Sequence, residues 1–139
     1  MAAFNEEEFN ARVEREARLQ EAKEIEFFSR KPKSPAMTEQ EFDSIKETSA
    51  ARFEKAKSEN KTGYCTEWDF YVLDMMDAAQ AVNPVEWYKV WHGNYPKYYT
   101  SWGHTLKYMH QAHYYINKAL ACGIAETAAE AVQYFNDNK

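Results

Sequence analysis

Cysteine is scarce in this chain: Cys65 and Cys122 are the only two in 139 residues. They lie far apart and fit no zinc or redox spacing such as CxxC. No disulfide framework is expected, and two reduced, buried thiols in a cytoplasmic protein are the plain reading. Glycine and proline number four each, and alternating apolar–polar runs are nearly absent. That removes the usual pattern for strands and hairpins. Apolar runs extend only a few residues, too short for a bilayer, so no membrane association is expected. The opening "MAAFNEEEFNAR" is acidic where a secretory leader needs an apolar stretch. Glycine-rich phosphate loops, a GxSxG elbow, HExxH and Glu-x-x-His are all missing. The expectation is a non-enzymatic protein with no cofactor.

Charge is unevenly spent. The net charge of −5 argues against gripping duplex DNA through a general basic surface. Residues 1–63 carry 14 acids and 12 bases, dense but nearly balanced. Residues 87–125 contain no Asp or Glu, yet hold Lys89, Lys97, Lys107, Lys118 and all four histidines, His92, His104, His110 and His113. Ten aromatics fall within 87–115. An acidic protein thus has one basic, aromatic segment.

What is abundant is helix punctuation. "MTEQEF" (37–42) has Thr38 as cap, Glu41 closing a capping box and Met37 stapled to Phe42. Phe42, Ile45, Ser49 and Phe53 follow as one helical stripe. The device returns at "CTEWDF" (Thr66 with Asp69, Cys65 facing Phe70), at "VNPVEW" (Asn83 capping, Pro84 first in the helix, Val82 with Trp87) and at "TAAE" (Thr127 with Glu130). Before them a helix is predicted over residues 5–29, thinly apolar, supported by Glu8–Arg12 and Glu14–Arg18 pairs. "RKPKSP" ends it. The predicted fold is all-α: about five helices bundled around a central one in the C-terminal half, with the long charged N-terminal helix as an arm. The expected divisions are the helix 1–29, a Pro-rich basic linker 30–36, and a bundle domain 37–139.

"KYMHQAHYYINKAL" (107–120) belongs to that central helix, predicted over 101–122 and ended by Gly123, with Ile124 folding back. Trp102, Leu106, Met109, His113, Ile116 and Leu120 make one apolar face; Tyr108, Ala112, Tyr115 and Ala119 lie beside it; Lys107, Gln111, Tyr114 and Lys118 form a polar strip. His113 then reads as a core histidine bonded to a tyrosine or carboxylate. His110 and His113 are weak metal candidates, since a third ligand would have to come from elsewhere, such as Asp69, Asp74 or Asp77. The same residues define the third functional reading, a histidine-dependent enzyme. "ALACGIAETAAEAVQYF" suggests a helix-turn-helix, but its second helix has no arginine, and a structural hairpin is the better reading.

The densest aromatic stretch, "WYKVWHGNYPKYYTSWGH" (87–104), holds Trp91, Tyr95, Lys97, Tyr98 and Tyr99, the candidates for an exposed binding surface. Their plain alternative is a second small core. Exposed, they suit a protein interface, or stacking on a nucleotide or other anionic small ligand over 87–113. The charged first helix with its basic linker offers a second means of docking. The leading expectation is a small acidic binding protein, an inhibitor or adaptor of a protein partner. Phage inhibitors of host nucleic-acid-handling or defence complexes are of this kind.

Overall fold

The computed structural model describes residues 3–93 and 106–139, and every regular element among them is helical. In chain order these are α1 (Glu6–Ser29), α2 (Glu39–Asp43), α3 (Ile45–Ser58), α4 (Glu67–Val82), α5 (Pro84–Tyr88) with a π-helical turn at Lys89–Gly93, α6 (Leu106–Ala121) and α7 (Ala128–Asn138). The segment 94–105, which carries Tyr95, Lys97, Tyr98, Tyr99, Trp102 and His104, lies outside the described residues.

The start signals work largely as written. Thr38 with Glu41 and Thr66 with Asp69 close both halves of a capping box, and Thr127 accepts from the Glu130 N–H at 3.1 Å. Asn83 is the exception. Its side chain caps nothing and instead donates to the Glu126 carbonyl at 3.1 Å, tying α5 to the turn before α7. Glu86 reaches the same place, accepting from the Ala128 N–H at 2.9 Å. The single helix predicted from the Thr38 cap through the Phe42–Phe53 stripe is divided at Ser44, whose hydroxyl donates to the Gln40 carbonyl at 2.8 Å while its backbone stays near helical angles. Cys65 is exposed rather than buried, because it sits in the turn before α4. Phe70 packs edge-on against Phe53 instead, at 5.3 Å between ring centroids.

α6 is the axis of the bundle, flanked by α4 and α7. Ala112, Ile116, Ala119 and Leu120 are buried with Met75 and Ala79 of α4, Val90, and Ala131, Val132 and Phe135 of α7. Gly123 ends the helix at φ +70, where its missing Cβ also leaves room for the Ala36 methyl. Ile124 does not fold back; it is 41% exposed. Ala125 takes that role, buried, with its N–H on the Ala119 carbonyl at 3.0 Å. Lys118, expected on the polar strip, is 7% exposed. The reason is α2, which brings Asp43 to 3.2 Å and Glu39 to 3.4 Å of its ammonium, while the Tyr114 hydroxyl stands at 2.8 Å. A buried charge so surrounded is satisfied. Burial alone would lower this lysine's pKa, but the bonds to Tyr114 and Asp43 outweigh it and hold the pKa above the usual range.

Among the described residues, α1 meets the bundle at its C-terminal end. Phe28 stacks on Tyr88 and tilts against Trp87 at 5.2 and 5.8 Å, and the Tyr88 hydroxyl donates to the Glu24 carboxylate. The basic segment after it is an extended strap. Ser34 N–H donates to the Ala81 carbonyl at 2.8 Å and Met37 N–H to the Ala121 carbonyl at 2.9 Å, which ties the strap to the ends of α4 and α6. Satisfying those helix-end carbonyls gives the proline-rich segment a defined path.

Candidate functional site

Three places bear on function: the predicted aromatic segment, the solvated part of α1, and a cleft over α4 and α6. In the first, Trp91 is 8% exposed and part of the core rather than a surface anchor. α6 offers it two complementary partners. Its ring lies flat on His113, with centroids 4.7 Å apart and planes 10° from parallel. Its indole N–H donates to the Asn117 side-chain carbonyl at 3.1 Å. With both its flat face and its polar end provided for, the indole is better placed inside. Asn117, itself buried, donates back to the His113 carbonyl at 2.7 Å. Sequence periodicity identified His113 but had no means of pairing it with Trp91 across 22 residues.

His113 is therefore held by stacking, with no tyrosine or carboxylate bonded to it among the described residues. Its Nδ1 is buried with no hydrogen-bond partner among the described residues. Burial, and then the neighbouring His110, push its pKa down to about 4, so it is neutral at pH 7. His110 lies against Trp68 instead, with centroids 3.8 Å apart. Two of the three candidate aspartates of α4 are engaged elsewhere: Asp69 in its cap, and Asp74 with Arg52 at 2.7 Å. Among the described residues, no three His, Cys, Asp or Glu side chains gather as metal ligands. Cys122 is partly buried, and burial first of all pushes its thiol up to about 11, away from the thiolate a nucleophile needs. No described helix is long and apolar enough to cross a membrane.

The second place is α1. No residue of this 24-residue helix is buried, and residues 3–20 are exposed throughout. Phe9, Val13 and Ala17 recur every four residues, a row that continues through Glu21 to Ile25, where the helix meets the bundle. Phe4, 75% exposed, packs its ring against Phe9 at 5.5 Å. Eight acids and four bases surround this row within α1. The expected Glu8–Arg12 and Glu14–Arg18 pairs do not form; Arg12 lies over the Phe9 ring at 5.8 Å.

The third place is a cleft of about 390 Å³ lined by Asp43, Lys46, Trp68, Tyr71, His110, Gln111, Tyr114 and Tyr115. Four helices contribute to it. Sequence reading singled out several of these residues, without the pairing of α4 with α6 that brings them together. Comparison with family models, with curated proteins and with solved structures gave no match to this chain.

Proposed function

We propose that this chain is a non-enzymatic binding protein that docks on a protein partner through α1, as an inhibitor or adaptor. One observation carries the reading: the apolar row Phe9–Val13–Ala17, with Phe4 beside it, lies on an exposed helix segment that packs on no other element among the described residues. Single exposed apolar residues need no explanation, but a helical row at four-residue spacing is the form in which an amphipathic helix enters a partner's groove. The excess of acids along α1 calls for a partner whose apolar groove has a basic rim. The strap and the Phe28–Tyr88 contact would hold this helix at a fixed exit from the bundle.

The test is affinity capture from source-cell lysate with the whole chain, beside a Phe9→Ser/Val13→Ser variant. The account expects one stoichiometric protein, lost in the variant, with the bundle's melting curve unchanged. A stoichiometric partner retained by the double variant, or none captured by either chain, would sink it.

A further inference from the structure

The cleft over α4 and α6 is independent of α1, and its composition is selective. Its one carboxylate, Asp43, is already engaged by the Lys118 ammonium at 3.2 Å and the Tyr114 hydroxyl at 2.5 Å. Lys46 forms no ion pair among the described residues, so the cleft keeps an unneutralised cation within a protein of net charge −5. Its wall is aromatic. The Trp68 and His110 rings lie against each other at 3.8 Å, and Tyr71 meets Trp68 edge-on at 5.6 Å. Gln111 adds a further demand: its Oε1 is buried with no hydrogen-bond partner among the described residues. A buried acceptor in that state favours any arrangement that brings it an N–H donor. The volume of about 390 Å³ lies within the range of small-molecule sites.

A cation without an ion pair among the described residues, an aromatic wall in which the Trp68 and His110 planes are tilted by 36°, and an unsatisfied acceptor together describe one ligand chemistry: a planar heterocycle bearing N–H groups and joined to an anion. We propose that this cleft binds a mononucleotide, with its base against the aromatic wall at Trp68 and His110, its phosphate at Lys46, and the Gln111 amide turning from its enclosed position to accept a base N–H. Stacking of bases on aromatic side chains tolerates base identity, so discrimination among bases falls to Gln111. An alkylammonium ligand in an aromatic cage fits less well. The Lys118 ammonium already lies 5.0 Å from the Tyr114 ring centre and holds the carboxylate such a ligand would need. The nucleotide expected on the 87–113 segment thus gains a different seat, sharing His110 and Gln111 but completed by Lys46, Trp68 and Tyr71 of α3 and α4.

The experiment is a titration of the full chain with AMP, GMP, CMP and UMP, and separately with adenosine, followed by NMR at the Trp68 indole N–H and the His110 ring. At least one mononucleotide should shift both resonances, with Lys46→Ala weakening it about 5- to 10-fold and leaving adenosine binding unchanged. Gln111→Leu, which removes the acceptor at similar size, should weaken both ligands while raising the unfolding midpoint; a purely structural glutamine would give no loss of ligand. Absence of any shift at about 10 mM, well above a Kd of 1 mM, would overturn the proposal, as would nucleotide affinity undiminished in Lys46→Ala. Neither result bears on capture through α1, so the two readings fail separately.

Discussion

α1 and α6 are both helices, but they are helical for different reasons. α1 has 24 residues, dense charge and no buried side chain; it is started by Asn5, whose side chain accepts from the Glu8 N–H at 3.1 Å, with three glutamates in its first turn. α6 has 16 residues and no acid, and Ile116 to Ala121 are buried without a gap. Local devices hold the first, whereas tertiary packing holds the second. Because a helix sustained only by caps and propensity is marginal in water, the free part of α1 adds little to the stability of the fold. What it offers is a surface, whereas α6 offers a scaffold.

The sharpest way to break this contrast is at the core end. Phe135→Ala and Trp91→Ala should each cost about 3–5 kcal/mol in urea unfolding, the range for buried aromatics; a neutral Trp91→Ala would return that indole to the surface. Next comes acid. The folded-state pKa of His113 is depressed from 6.5 to about 4, so as pH falls the unfolded chain takes up the proton first. The stability it contributes is full above about pH 6.5 and drains away down to about pH 4, a loss on the order of 2–3 kcal/mol. Urea midpoints at pH 7.5 and pH 5 would show it, and His113→Phe should flatten that dependence. Thr66→Ala removes one cap at the head of α4 and should cost about 1 kcal/mol. The smallest effect belongs to α1: Phe9→Ser should change stability by less than about 0.5 kcal/mol while abolishing capture of the partner.

The all-helical fold was legible because its signals are local. Thr38, Thr66 and Thr127 announce their helices within four residues, and the 3-and-4 spacing of His113, Ile116 and Leu120 marks the face that turns inward. What escaped was pairwise and distant. Lys118 reads as a surface lysine until α2 arrives with Asp43. Trp91 reads as an exposed surface aromatic until His113 and Asn117 appear beneath it. The segment 30–36 reads only as a Pro-rich basic linker because the hydrogen bonds of Ser34 and of Met37 beyond it go to helix ends far along the chain. The cleft illustrates the same limit: Trp68, His110, Gln111 and Lys46 have no common pattern in sequence and meet only because α3, α4 and α6 pack. Of the five residues expected to form a surface, Trp91 is buried, and Tyr95, Lys97, Tyr98 and Tyr99 fall outside the described residues.

Amide hydrogen exchange on the intact chain tests the central contrast most directly, because it reads α1 and α6 in the same molecule. The account predicts that amides of residues 8–18 exchange with little protection, while those of residues 112–121 exchange only through global unfolding. Equal protection of the two segments would mean that α1 is held along its whole length, and would contradict its role as a free docking arm.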